Sequence, residues 1–196
     1  MIEKTAGGIL GKLLAVLLAG ISVNVAQAGE AEGIPPELVA EYIYAVIQAD
    51  RSIYSTHVVE QLQERKIAAA AEDWKEKGAL PLPAQLLQMA GQEIQGLGLG
   101  LHLRLGSLGP IYTKNGPVDE FERAGLEAVA QNPRKPYTGT VTEGATRYFK
   151  AIFADRAVSM ACVTCHNSHP LSAKRDYKLH DVMGGIIISF PVREAK

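Results

Sequence analysis

Cys162 and Cys165 are the only two cysteines of the 196-residue chain, and they stand in the stretch MACVTCHNSH with His166 directly after the second. Three chemistries use such a cluster: a zinc site, a dithiol–disulfide pair, or covalent attachment of a haem. In the third, each thiol adds to one vinyl group of the porphyrin and the adjacent imidazole reaches the iron. C-x-x-C-H is the signature of that attachment. A structural zinc needs four ligands, and Cys162, Cys165, His169 and His180 are the available set. The ten residues between the two histidines exceed the usual spacing of about three to five. A thioredoxin-like pair belongs at a helix start inside a βαβ unit, and the sequence offers no such pattern.

Compartment bears on the choice. The first residues read MIEKTAGGILGKLLAVLLAGISVNVAQAGE, with Lys4 and Lys12, an apolar run from Leu13 to Val23, and Ala26-Gln27-Ala28. This is the order of a secretory signal peptide, so residues 1–28 are expected to be removed after Ala28. Residues 29–196 are then the mature, exported domain. The apolar run is roughly half the length of about 20 residues that spans a bilayer; an uncleaved anchor is the alternative. No cysteine stands near the cleavage site to take a lipid, and no later stretch is apolar enough to span. An oxidising periplasm leaves few thiols free, and a C-x-x-C bridge closes too small a loop to stabilise much. Export and the contiguous histidine together favour one covalent haem c.

The elements around the cluster follow from periodicity. PPELVAEYIYAVIQADRSIYSTHVVEQLQERKIAAAAEDWKE places Val39, Ile43, Val46, Ile47, Ile53, Tyr54, Val58 and Leu62 on one helical stripe. Pro36 suits its first turn, and the helix is expected to break between Lys66 and Lys77. A second helix runs from Pro83 or Ala84 to about Gln95. LGLGLHLRLGS alternates strictly, which predicts a strand burying Leu97, Leu99, Leu101, Leu103 and Leu105. GPIYTKNGP is a loop, and VDEFERAGLEAVAQNP is a helix stopped by Pro133. TRYFKAIFA and VMGGIIISFPV are strands, with the cysteines on a short helix or turn between them. Helices first and strands later predict an α+β fold, a small antiparallel sheet with helices around it. A hydrophobic share of 47% and a formal charge of −1 suit one domain with a core and give no electrostatic footprint for nucleic acid.

Several longer stretches carry a resemblance: YSTHVVEQL, GALPLPAQLL, NGPVDEFERAGLEAVAQNPRKPY, RYFKAIFADRAVSMACVTCHNSHP and YKLHDVMGGIIISFPV. From about Leu38 to Val192 the chain resembles the family of single-haem c-type cytochrome domains with a PAS-like fold. Its members occur as exported stand-alone proteins and as extracytoplasmic input domains of bacterial sensor kinases. His180 departs from the pattern, in which Gly is expected before the Asp. The resemblance implies a PAS-like antiparallel sheet with flanking helices, a long N-terminal helix and one covalent haem.

What such a haem does depends on its second axial position. With His166 as the proximal ligand, His57 is the first candidate for the other side. It lies four residues after Ile53 and fourteen after Ile43, on the stripe of the long helix. His102, His169, His180, Met89, Met160 and Met183 remain alternatives, as does an open site. Arg104 is a candidate partner for a haem propionate. Tyr148, with Tyr112, Tyr137, Phe149, Phe153 and the LPLP segment, is a candidate wall of the haem pocket, though a core would bury such residues too. The leading function is periplasmic electron transfer with a redox partner protein. The alternative is a redox or gas sensor acting through a separate signalling protein. A small haem enzyme with an open distal site comes third, and no other catalytic fingerprint is present.

Overall fold

Pro36 stands in the first turn of helix α1 (Pro36–Ile53), where its missing N–H costs nothing. The helix does not stop at Ile53. It widens into a π-helical segment, Tyr54–Glu60, and narrows again into α2 (Gln61–Glu64). At the widening, Ser55 and Thr56 donate their hydroxyls to the carbonyls of Arg51 and Ser52, at 2.7 and 2.8 Å. Such back-bonding competes with the backbone ladder and bends helices. The computed structural model describes residues 33–192, so the expected export segment lies outside the described residues.

A short parallel pair follows, β1 (Ala70–Ala71) with β2 (Leu80–Pro81), around the single turn α3 (Trp74–Lys77). Helix α4 (Pro83–Gly96) begins where the proline predicts. Strand β3 (His102–Gly106) is shorter than its alternation suggests. Gly98 and Gly100 take positive φ, +68° and +74°, which breaks the extended run. Leu97 and Leu99 consequently stay exposed, and the burial starts at Leu103 and Leu105. Helix α5 (Glu120–Gln131) is capped by Asp119, whose carboxylate accepts from the Glu122 N–H at 2.7 Å. Strands β4 (Tyr137–Glu143) and β5 (Thr146–Arg156) form a hairpin, helix α6 (Met160–Ser168) carries the cysteines, and β6 (Val182–Pro191) is the last element of the described residues.

The four longer strands make one antiparallel sheet in the order β3-β6-β5-β4. The α+β arrangement is the expected one: an antiparallel sheet, flanking helices and a long N-terminal helix. The two central strands are buried on both faces. Phe149, Phe153, Ile186 and Ile188 pack toward Ala40 of α1 and Leu87 of α4. Ile152 and Ile187 pack toward Leu126 and Val129 of α5. Tyr44 of α1 stacks on Phe153 with centroids 4.2 Å apart. No helix among the described residues is long and apolar enough to cross a membrane.

Close approach of α4 to the sheet depends on Gly91, because a Cβ there would press into the Leu103 carbonyl oxygen. Overfilling of this kind costs roughly 1–3 kcal/mol. Gly91→Ala is therefore expected to lower the urea midpoint with an unchanged denaturant slope. A midpoint equal to that of the parent would show that α4 has room to move.

Candidate functional site

Helix α6 follows Ser159 and is seated from two sides. The N–H of Met160 donates to Glu60 Oε1 of the π-helical segment at 2.7 Å, which satisfies a first-turn donor. Val163 packs with Ala157 and Met183 beneath the helix. Positions three and four apart share a helix face, so Cys162, Cys165 and His166 fall together. All three line one cavity of about 620 Å³. The other elements give it mainly apolar groups, among them Val59, Leu82, Pro83, Leu105 and Ile111.

The ionisation of the site suits ligation better than thiol redox chemistry. Burial, followed by the charges of Arg51 and His169, holds the His166 imidazole below its ordinary pKa. A neutral imidazole has the lone pair that a metal needs. Its ring meets Tyr177 edge-on at 5.8 Å. Cys165 keeps part of its surface in solvent, yet desolvation by the surrounding cavity wall pushes its thiol up, with Glu72 and Cys162 adding to the effect. A dithiol–disulfide pair requires the reverse, a depressed thiolate. Among the described residues no group of three or more His, Cys, Asp or Glu is placed to hold a metal ion, so the zinc set is not assembled. The residues fit a covalently held haem instead. Two thiols and an imidazole share one wall of a largely apolar cavity, whose volume lies in the range of cofactor sites, about 300–1,000 Å³.

His57 is not at this cavity. It is exposed, and its Nδ1 lies 3.4 Å from Gln61 Nε2. The buried face is already displaced from the predicted stripe within α1, where Val46 and Ile53 are exposed and Arg51 is buried. The buried positions on this run are Arg51, Ser55 and Val59. Of the alternatives, His169 and Met183 line the cavity. His169 also lies 3.3 Å from Glu72, tying the end of α6 to the β1–α3 loop. His102 instead packs its ring against Tyr148, and His180 sits in a turn at φ +70°.

Arg104 and Tyr148 are likewise placed elsewhere. Arg104 pairs with the buried Glu122 and donates to the Gly116 carbonyl at 2.8 Å, so its fork is used within the fold. Tyr148 lies beside His102 and does not line the cavity. Phe149, Phe153 and Tyr137 are core residues, whereas Tyr112, Leu82 and Pro83 do line the cavity. Sequence reading missed Arg51 and Asp155. They form a buried ion pair at the cavity wall, Nη2 to Oδ2 3.0 Å, with both side chains 7% exposed. An arginine standing where a helix's apolar face should run was the available signal.

An antiparallel sheet wrapped by helices, with a C-x-x-C-H helix opening onto a cavity, defines an α+β protein built to hold a large group. The chain belongs to the Tll0287-like family, whose model matches residues 37–191. The crystal structure of the cyanobacterial heme-protein Tll0287 is similar at a TM-score of 0.47 and 14% identity, over 83% of this chain and 100% of that one. No curated protein matches the chain.

Proposed function

We propose that the chain is an exported c-type haem protein that passes single electrons to and from a redox partner protein in the periplasm. Cys162 and Cys165 hold the haem through thioether bonds, and His166 is the proximal ligand. The observation that carries this reading is that these three side chains line one cavity. The family description supports it, since Tll0287 is a heme-protein. When bound, the haem supplies one-electron redox chemistry. The chain's own part is to present a neutral imidazole, to wall the site in part with apolar side chains, and to set the local charge with Arg51 and Asp155.

The test is the absorption spectrum of the purified protein in both redox states, with a pyridine haemochrome assay. One haem c per chain is expected, recovered from the periplasmic fraction; colourless protein would end this reading. A second reading, a gas or redox sensor acting through a separate signalling partner, draws on one observation. His57 lies outside the cavity, and the walls away from α6 are mainly apolar. Rapid binding of CO by the ferrous protein would favour the sensor, and a ferrous iron inert to CO the carrier.

A further inference from the structure

We propose that Asp155, paired with Arg51 at the wall of the cavity, takes up a proton whenever the site takes up an electron. The inference rests on the haem reading above and assigns a second function to the same cavity, the coupling of proton to electron.

The ion pair is deeply buried and poorly completed. Arg51 is 6% exposed and Asp155 5%. One good bond joins them, at 3.0 Å. A guanidinium carries five N–H donors, yet the Nε of Arg51 has no partner among the described residues, and neither does the Oδ1 of Asp155. The remaining contact of the guanidinium is long, 3.5 Å to the Arg156 carbonyl. A buried pair whose remaining donors and acceptors are unmet recovers little of its desolvation cost. Such a pair is poised to lose its charge. Burial accordingly pushes the Asp155 carboxyl up, against the pull of Arg51.

Of the two carboxylates on the cavity wall among the described residues, Asp155 is the buried one; Glu72, 63% exposed in its side chain, lies against His169 at 3.3 Å. From α1 come Arg51 and Tyr44, whose hydroxyl donates to the Ala154 carbonyl at 3.4 Å. Its own strand adds Arg156, and β6 places Gly184 opposite, with no charge. From α6, His166 feels the charge of Arg51. Both Arg51 and Asp155 line the cavity that holds Cys162, Cys165 and His166. An electron delivered there by a one-electron reductant adds one negative charge close to a carboxylate in a low-dielectric wall. Asp155 answers by binding one proton from solvent. The new O–H bond replaces the ion pair with a hydrogen bond, and Arg51 is freed to face the added charge. Oxidation reverses both steps, so one proton travels with one electron.

The experiment is a potentiometric titration of the holoprotein, with dithionite and mediators, repeated across pH. The midpoint potential is expected to fall as pH rises, by up to about 59 mV per pH unit where one proton accompanies one electron. Asp155→Asn should flatten that slope, and Tyr44→Phe should leave it. Arg51→Gln removes the cation that holds Asp155 ionised, so the sloping region should move to higher pH. It provides an independent reading should the Asp155 variant not fold. A wild-type potential independent of pH overturns the inference while leaving the haem reading intact. So does an unchanged slope in Asp155→Asn, or an unmoved one in Arg51→Gln. Absence of haem from the wild type removes both.

Discussion

The double substitution Cys162→Ser, Cys165→Ser is expected to abolish covalent haem while leaving the fold in place. Loss of the haem-staining band on a denaturing gel would be complete, and each single variant would retain one thioether. The expectation of an intact fold has a physical basis. Cys165 is exposed and Cys162 only half-buried, at the edge of the small cluster of Ala157, Val163 and Met183. No disulfide joins them, so no cross-link is lost. Away from the haem itself, substitutions at such positions usually move stability by about 0.5 kcal/mol or less, so the comparison is with the haem-free parent chain. Since His166 and the cavity remain, any haem still bound should leave with acidified organic solvent. A covalent band that survives in the double variant would sink the attachment chemistry proposed for α6. Unfolding of the variant by several kcal/mol would instead make the cysteines structural.

The outer frame of the molecule follows from patterns of residue type. Proline at the first turn located α1 and α4, and apolar, β-branched runs located β5 and β6, because those strands bury both faces. Strand β4 left no such mark. It is an edge strand in which only alternate residues are half-buried, and YTGTVTE reads as polar chain. The strand predicted from Leu97 came late because two glycines with positive φ interrupt it. The site was legible on one side only. C-x-x-C-H is a local motif, so spacing alone put Cys162, Cys165 and His166 on one face of α6. The opposite walls depend on register. The buried face of the long helix runs through Ala40, Arg51, Ser55 and Val59, a line that an apolar stripe drawn through Ile43, Ile53 and Val58 misses, so His57 faces outward while Arg51 and Val59 reach the cavity. Arg104 was read as free for a carboxylate when a buried carboxylate of its own chain, Glu122, claims it.

That claim makes Glu122→Ala the substitution expected to cost most. Glu122 is 1% exposed on α5. It accepts from Arg104 of β3 and from the Val118 N–H at 3.0 Å, and the Lys150 ammonium of β5 lies 3.8 Å away. Three elements are thus tied at one carboxylate. Lys150, 5% exposed in its side chain, keeps Asp119 at 2.9 Å and Glu143 at 3.7 Å, but Arg104 keeps only backbone carbonyls. Removing one partner from a buried ion pair costs roughly 3–5 kcal/mol, because the charge left behind stays desolvated. Glu122→Gln keeps the shape and one acceptor, so its cost should be smaller. The urea-derived stability of the two variants checks the ordering, and an alanine variant within about 1 kcal/mol of the parent would show that Arg104 finds solvent instead. The network also fixes an acid limit. Burial acts to raise the pKa of Asp119, but the Glu122 N–H and Lys150 outweigh it and hold the carboxyl below its ordinary value. A carboxylate depressed in the folded state contributes stability above its unfolded pKa and loses it as pH falls through the folded one. Acid unfolding below about pH 4 should therefore be less steep in Asp119→Asn, at the cost of the cap on α5. Because β3 gives Leu105 to the cavity that Cys162, Cys165 and His166 also line, loosening this network should also disturb that cavity. A shifted absorption band in Glu122→Gln would connect the two faces of the sheet.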